Sequence, residues 1–155
     1  MAAPRPSQDW MKIGWVLVLI VSIIIVINGL AYVVTGAESD TQFFQHQAGI
    51  SWSAFASSGQ GIVTYVQGLL RLFGVITAIA GTFAATITVT AFRRGERWAF
   101  YILFLAAVGL LYATGDLYYG GGSTWPVYLI LLAVDIVGLL LPFRTFFPKQ
   151  TGTVR

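Results

Sequence analysis

Residues 67–98 read QGLLRLFGVITAIAGTFAATITVTAFRRGERW, and this stretch decides the fold. Steps of four and three from Gln67 pick out Arg71, Gly74, Ala78, Gly81, Ala85 and Thr88, all on one face of a helix. That face is small and polar, whereas its flanks carry Leu70, Phe73, Ile76, Phe83 and Ile87. Small residues at this spacing let a second helix approach closely inside a bilayer. The basic turn Arg93-Arg94-Gly95-Glu96-Arg97 then stops the helix, and Trp98 opens the next apolar run. The stretch reads as a central membrane helix followed by the cytoplasmic turn that fixes orientation.

Composition points the same way. The chain is 57% hydrophobic and only 10% charged, where a soluble domain has roughly a quarter of its residues charged. Its apolar residues come in blocks about as long as a bilayer is thick. There is no cysteine, which excludes thiol–disulfide chemistry and any cysteine-held metal or cluster. The net charge of +3 is no nucleic-acid signature, because the basic residues gather in the terminal segments and one turn.

Outward from the central helix, four spans are expected in one membrane domain, 1–155: about 13–35, 62–92, 98–115 and 125–142. The segment before Lys12 is polar, and is expected to be disordered or to lie at the membrane surface. A secretory signal competes for the first span, but its apolar core is too long and Thr35-Gly36-Ala37 is an indifferent cleavage site. The outer loop 37–61 holds Glu38, Asp40 and His46 with no lysine or arginine. Its aromatics Phe43, Phe44, Trp52 and Phe55 suggest one or two short interfacial segments, with Ser51 or Ser53 as a cap. Gly120-Gly121-Gly122-Ser123 reads as a turn, Trp125-Pro126 as a helix start, and Phe143 onward as a basic aromatic tail suited to headgroups. Arg5, Lys12, the turn 93–97, Arg144, Lys149 and Arg155 all fall on one side, and Glu38, Asp40 and Asp116 on the other. The positive-inside bias therefore places both termini in the cytoplasm. The expected fold is an all-α, four-helix transmembrane bundle.

Ionisable groups inside membrane helices are functional candidates by default. Counting turns puts Arg71 about 30 Å above Phe92, Asp116 about 27 Å above Trp98 and Asn28 about 24 Å above Lys12. All three reach the outer boundary. Asp116 continues a small face on the third span, Ala106, Gly109 and Ala113. If the two small faces pack together, Arg71 meets Asp116, with Asn28, Tyr32 and Gln67 nearby. Such a cluster is either a polar pocket for an anionic or hydroxylated ligand, or an interfacial ion pair that sets register. A snorkelling Arg71 is the simpler alternative. Asp135 lies deeper, about 13 Å from the cytoplasmic end of its helix, with Ser22, Thr82 and Thr86 as height-matched polar neighbours. It reads as interhelical glue, or as a proton-carrying or ligand-binding carboxyl.

Chemistry has little else to stand on. His46 is the sole histidine, so no metal or haem site is spaced for, and no cofactor is expected. Serines 51, 53, 57 and 58 lack a histidine or lysine in register, and no glycine-rich phosphate loop occurs. The segments Ala91-Phe92-Arg93-Arg94-Gly95-Glu96-Arg97-Trp98-Ala99-Phe100 and Leu141-Pro142-Phe143-Arg144 resemble small four-span proteins of bacteria and archaea. The layout is similar to DoxX-like membrane proteins. The resemblance implies a prokaryotic cell membrane and a four-helix layout, and it carries no residue role across. The expected function is a non-enzymatic binding protein or accessory subunit, its partners being membrane lipids and either another protein or a second copy. A small proton-coupled carrier acting as an oligomer is one alternative. A lipid- or isoprenoid-modifying membrane enzyme is the other.

Overall fold

The computed structural model describes residues 6–36, 41–57 and 59–147. Glu38, Asp40, Arg5, Lys149 and Arg155, named above for the charge asymmetry, lie outside the described residues. The described chain is helical throughout, with no strand among its residues. Its helices are α1 (Pro6–Thr35), α2 (Thr41–Ala48), α3 (Trp52–Ala56), α4 (Gln60–Thr90), α5 (Arg97–Tyr119), α6 (Trp125–Leu140) and α7 (Phe143–Phe146). Four stretches, of 27, 35, 23 and 22 residues, are long and apolar enough to cross a membrane: Asp9–Thr35, Gln60–Arg94, Arg97–Tyr119 and Trp125–Phe146.

Three boundaries differ from expectation. The polar segment before Lys12 is already helical from Pro6, so α1 begins about two turns early. The third long helix continues to Tyr119, past the expected end at Gly115: Asp116 lies in its last turn, and the chain turns only at Gly120, whose N–H donates to the Asp116 carbonyl. The tail beyond Pro142 does not simply lie among headgroups: α7 folds back and buries Phe146, which is 1% exposed. Burial of that ring against Phe92, 0% exposed, at a centroid separation of 4.9 Å outweighs the tail's interfacial character.

Helix order around the structure is α4, α1, α6, α5. α1 packs along α4 on one side and α6 on the other, α6 packs against α5, and α4 scarcely touches α5. At the end where α4 turns into α5, one cluster draws on all four long helices: Val18, Ala91, Phe92, Ala99, Phe100, Leu103, Ala107, Leu139 and Phe146, with Ala84 and Ile87 against it. A second cluster, Val21, Leu110, Leu131 and Leu132, belongs to α1, α5 and α6 alone. The molecule is thus two helical hairpins joined through α1 and α6, closed at one end.

The basic turn closes that end. After Ala91 the chain makes one tight 3-10 turn, Phe92–Arg94, and reverses at Gly95, whose φ of 78° is left-handed and favours glycine. Each arginine of the turn has a task. Arg93 lies over the Trp15 ring of α1 at 5.2 Å, Arg94 pairs with Glu96 at 3.9 Å, and Arg97 donates through Nε to the Phe146 carbonyl at 3.0 Å. Glu96 also accepts from Trp98 Nε1 at 2.6 Å. The turn read as a topology signal is equally a clasp on α1 and α7.

Candidate functional site

The small face of α4 is where the sequence put it, and it is buried. Gly74, Gly81 and Thr88 are buried, with Gln67, Ala78 and Ala85 partly so. Its partner is α1, which corrects the expected packing against α5. A Cβ at Gly29 would strike the Ala78 backbone nitrogen and stand 2.7 Å from the Gly74 carbonyl oxygen. One at Gly81 would stand 2.9 Å from the Val26 nitrogen and 3.0 Å from the Ser22 oxygen. Backbones this close leave no room for side chains. The signal was present: Ser22, Gly29 and Gly36 recur every seven residues on α1, as Gln67, Gly74, Gly81 and Thr88 do on α4. Matching sevenfold repeats on two antiparallel helices mark a shared seam.

The α5 stripe has the opposite fate. Ala106, Gly109 and Asp116 are exposed and Ala113 partly so, while α5 packs through Leu103, Ala107, Leu110 and Thr114. Larger apolar side chains on the second face bury more hydrocarbon, and that face wins the interior.

The polar cluster at the α2 and α3 end therefore does not assemble as one site. Arg71 and Asp116 make no ion pair, because their helices scarcely touch. Gln67 and Arg71 stay together, one turn apart, both beside Gly36 where α1 ends. Asn28 turns away to α6, where its Nδ2 donates to the Tyr128 hydroxyl. Tyr32 meets Phe73 edge-on at 5.8 Å. Tyr128 was the partner that sequence reasoning missed, since a tyrosine near a span end reads first as part of an interfacial belt.

Asp135 is buried, 7% exposed, on the α6 stripe of Leu131, Asp135 and Gly138. This stripe faces α1: a Cβ at Gly138 would stand 2.9 Å from Val18 Cγ2 and 3.1 Å from the Gly14 oxygen. The Asp135 carboxyl enters no hydrogen bond or ion pair with the described residues. The hydroxyls expected near its depth are all committed to their own helices. Ser22 donates to the Val18 carbonyl, Thr82 to Ala78 and Thr86 to Thr82, each at 2.8 Å.

The loop between α1 and α4 crosses the end of the bundle. α2 rests on the α5–α6 turn, where Gly120 lies against Phe43 and Gln47, and Gly121 against the His46 ring. His46 is exposed, as expected of a loop residue. α3 opens at Ser51, whose hydroxyl accepts from the Ala54 N–H at 3.2 Å, and Phe44, Trp52 and Phe55 pack ring to ring. Of the one or two short segments expected in this loop the structure has two, and of the two serines offered as a cap it uses Ser51.

No family model, curated protein or solved structure matches this chain. Function has to be argued from its own geometry. Among the described residues no group of histidine and carboxylate side chains is gathered tightly enough to hold a metal ion. An open groove of about 390 Å³ runs between α1 and α4, lined by Val26, Leu30, Ala78, Ile79, Thr82 and Phe83. Its walls are hydrocarbon apart from the Thr82 hydroxyl, which is spent on Ala78.

Proposed function

We propose that this chain is an integral membrane protein of a prokaryotic cell membrane, with both termini cytoplasmic, that acts by binding within the bilayer rather than by catalysis. Membrane embedding is supported by the long apolar helices and by large side chains that face outward on each of them, among them Ile27, Phe83, Leu105 and Ile130. A contiguous apolar surface of that extent is unsustainable in water. The orientation is supported by the arginines of the 93–97 turn, and the prokaryotic setting by the resemblance of that turn and its flanks.

One observation carries the accessory-subunit reading. The chain has two small-residue stripes, one consumed by α1 and the other, Ala106, Gly109 and Ala113 on α5, left facing outward. A Cβ added at Gly109 meets nothing within 4 Å, so another helix has room to approach. Native mass measurement after gentle extraction tests the reading. The wild type is expected to run as a complex, with a different chain or a second copy, and Gly109→Leu to run as the bare monomer. A wild-type monomer, or a complex indifferent to the substitution, would overturn it.

A proton-coupled carrier acting as an oligomer is the second reading, favoured by the buried Asp135, which has no partner among the described residues. It requires Asp135→Asn to abolish coupling while leaving the fold intact. The lipid-modifying enzyme has less support, since neither Asp116 nor Asp135 lines the groove between α1 and α4.

A further inference from the structure

We infer that the α1–α4 groove and Arg71 together form a binding site for one anionic phospholipid, with an acyl chain in the groove and the phosphate at the guanidinium. The inference rests on the membrane reading above and adds a ligand class to it.

The geometry supplies a tail site and a head site on one line. Arg71, Val75, Ala78 and Thr82 follow steps of four, three and four along α4, so they share a side of that helix. Ala78 and Thr82 line the groove, and Val26 and Leu30 of α1 form its other wall. From Thr82 to Arg71 the helix rises about 16 Å. That is close to half of the roughly 30 Å hydrocarbon core, the depth of one leaflet. A chain reaching the groove floor from that leaflet therefore has its headgroup beside Arg71.

Charge selects the headgroup. Arg71 is exposed and enters no ion pair or hydrogen bond with the described residues. Its stem lies beside Gly36 at the end of α1: a Cβ added there would stand 3.9 Å from Arg71 Cγ. A guanidinium presents a planar fork that matches phosphate oxygens two at a time. Basic pockets between helices are known to take anionic headgroups on the cytoplasmic side of membranes; Arg71 offers the same chemistry at the opposite boundary. A protein helix fits the groove poorly, because its walls run for less than two turns, from Ala78 to Phe83 on α4 and from Val26 to Leu30 on α1.

The test is native mass spectrometry of the full chain, delipidated in non-ionic detergent and titrated with equal amounts of dioleoyl phosphatidylglycerol and dioleoyl phosphatidylcholine. The wild type is expected to retain one phosphatidylglycerol in preference. Arg71→Gln should weaken that binding on the order of tenfold, down to the phosphatidylcholine level. Thr82→Phe fills the groove and should lower retention of both lipids, and Arg71→Lys should restore part of the preference. Soluble glycerol phosphate should not displace the lipid. Helical content by circular dichroism verifies each fold, with Ile79→Trp as the substitute groove-filling variant. Equal retention of the two lipids, a preference that survives Arg71→Gln, or displacement by glycerol phosphate alone would each overturn the site. Recovery of wild-type chain in the soluble fraction without detergent would instead sink the membrane reading.

Discussion

Asp135 sits where a carboxyl is hardest to keep. It is 7% exposed, and no described residue donates to it or pairs with it. Its place along α6 was legible by counting turns back from Arg144. Its lack of a partner was not, because Ser22, Thr82 and Thr86 each bond a carbonyl one turn back on their own helix. Spacing shows which hydroxyls share a level, but not that this local alternative has already taken them. A polar group held in apolar surroundings without a partner costs up to about 1–3 kcal/mol, and less where, as at Asp135, its oxygens are not fully enclosed. Asp135→Leu is therefore expected to raise detergent stability by up to that amount, and Asp135→Asn to leave it nearly unchanged, by thermal melting. A fall of similar size in the leucine variant would mean that the carboxyl is not without a partner after all. A stabler protein that has lost its function would mark the carboxyl as kept for use.

At the level of helices, periodicity showed which face of α4 is special but not which helix it faces. Two stripes competed for it, and the deciding quantity was how much hydrocarbon the other faces of α5 had to bury. Leu103, Ala107 and Leu110 took the inside of α5, so its small residues went outside. Gly29 and Gly109 should then respond oppositely to enlargement. Gly29→Val forces a side chain into the α4 backbone and is expected to cost at least about 1–3 kcal/mol. Gly109→Ala meets open space and is expected to cost nothing, or to gain up to about 1 kcal/mol of helix propensity. Chemical or thermal unfolding in one detergent compares them directly. Similar losses at both positions would mean that α5 uses its small face inside the bundle after all.

For the molecule as a whole, the four long helices were legible from their apolar blocks, and the turn between the middle two from its basic residues. The open side between α4 and α5 was not, because nothing in either helix alone reports that α1 satisfies one and α6 the other. The chain has no cysteine, so single introduced thiols report sidedness cleanly. Thr41→Cys and Ser53→Cys are expected to react with an impermeant maleimide in intact cells, and Thr145→Cys only after permeabilisation. The reverse pattern would invert the topology. The central place of α1 also has a temporal meaning. Synthesis delivers α1 first, α4 completes a hairpin with it, and α5 then follows with few backbone contacts to either, its part in the two buried clusters being completed only by what comes after it. Only when α6 arrives does α5 gain its own partner and α1 its second one. The nascent chain must therefore hold α5 unescorted for the time it takes to make some twenty more residues. That interval is when the half-made protein exposes most of the surface that α6 later covers.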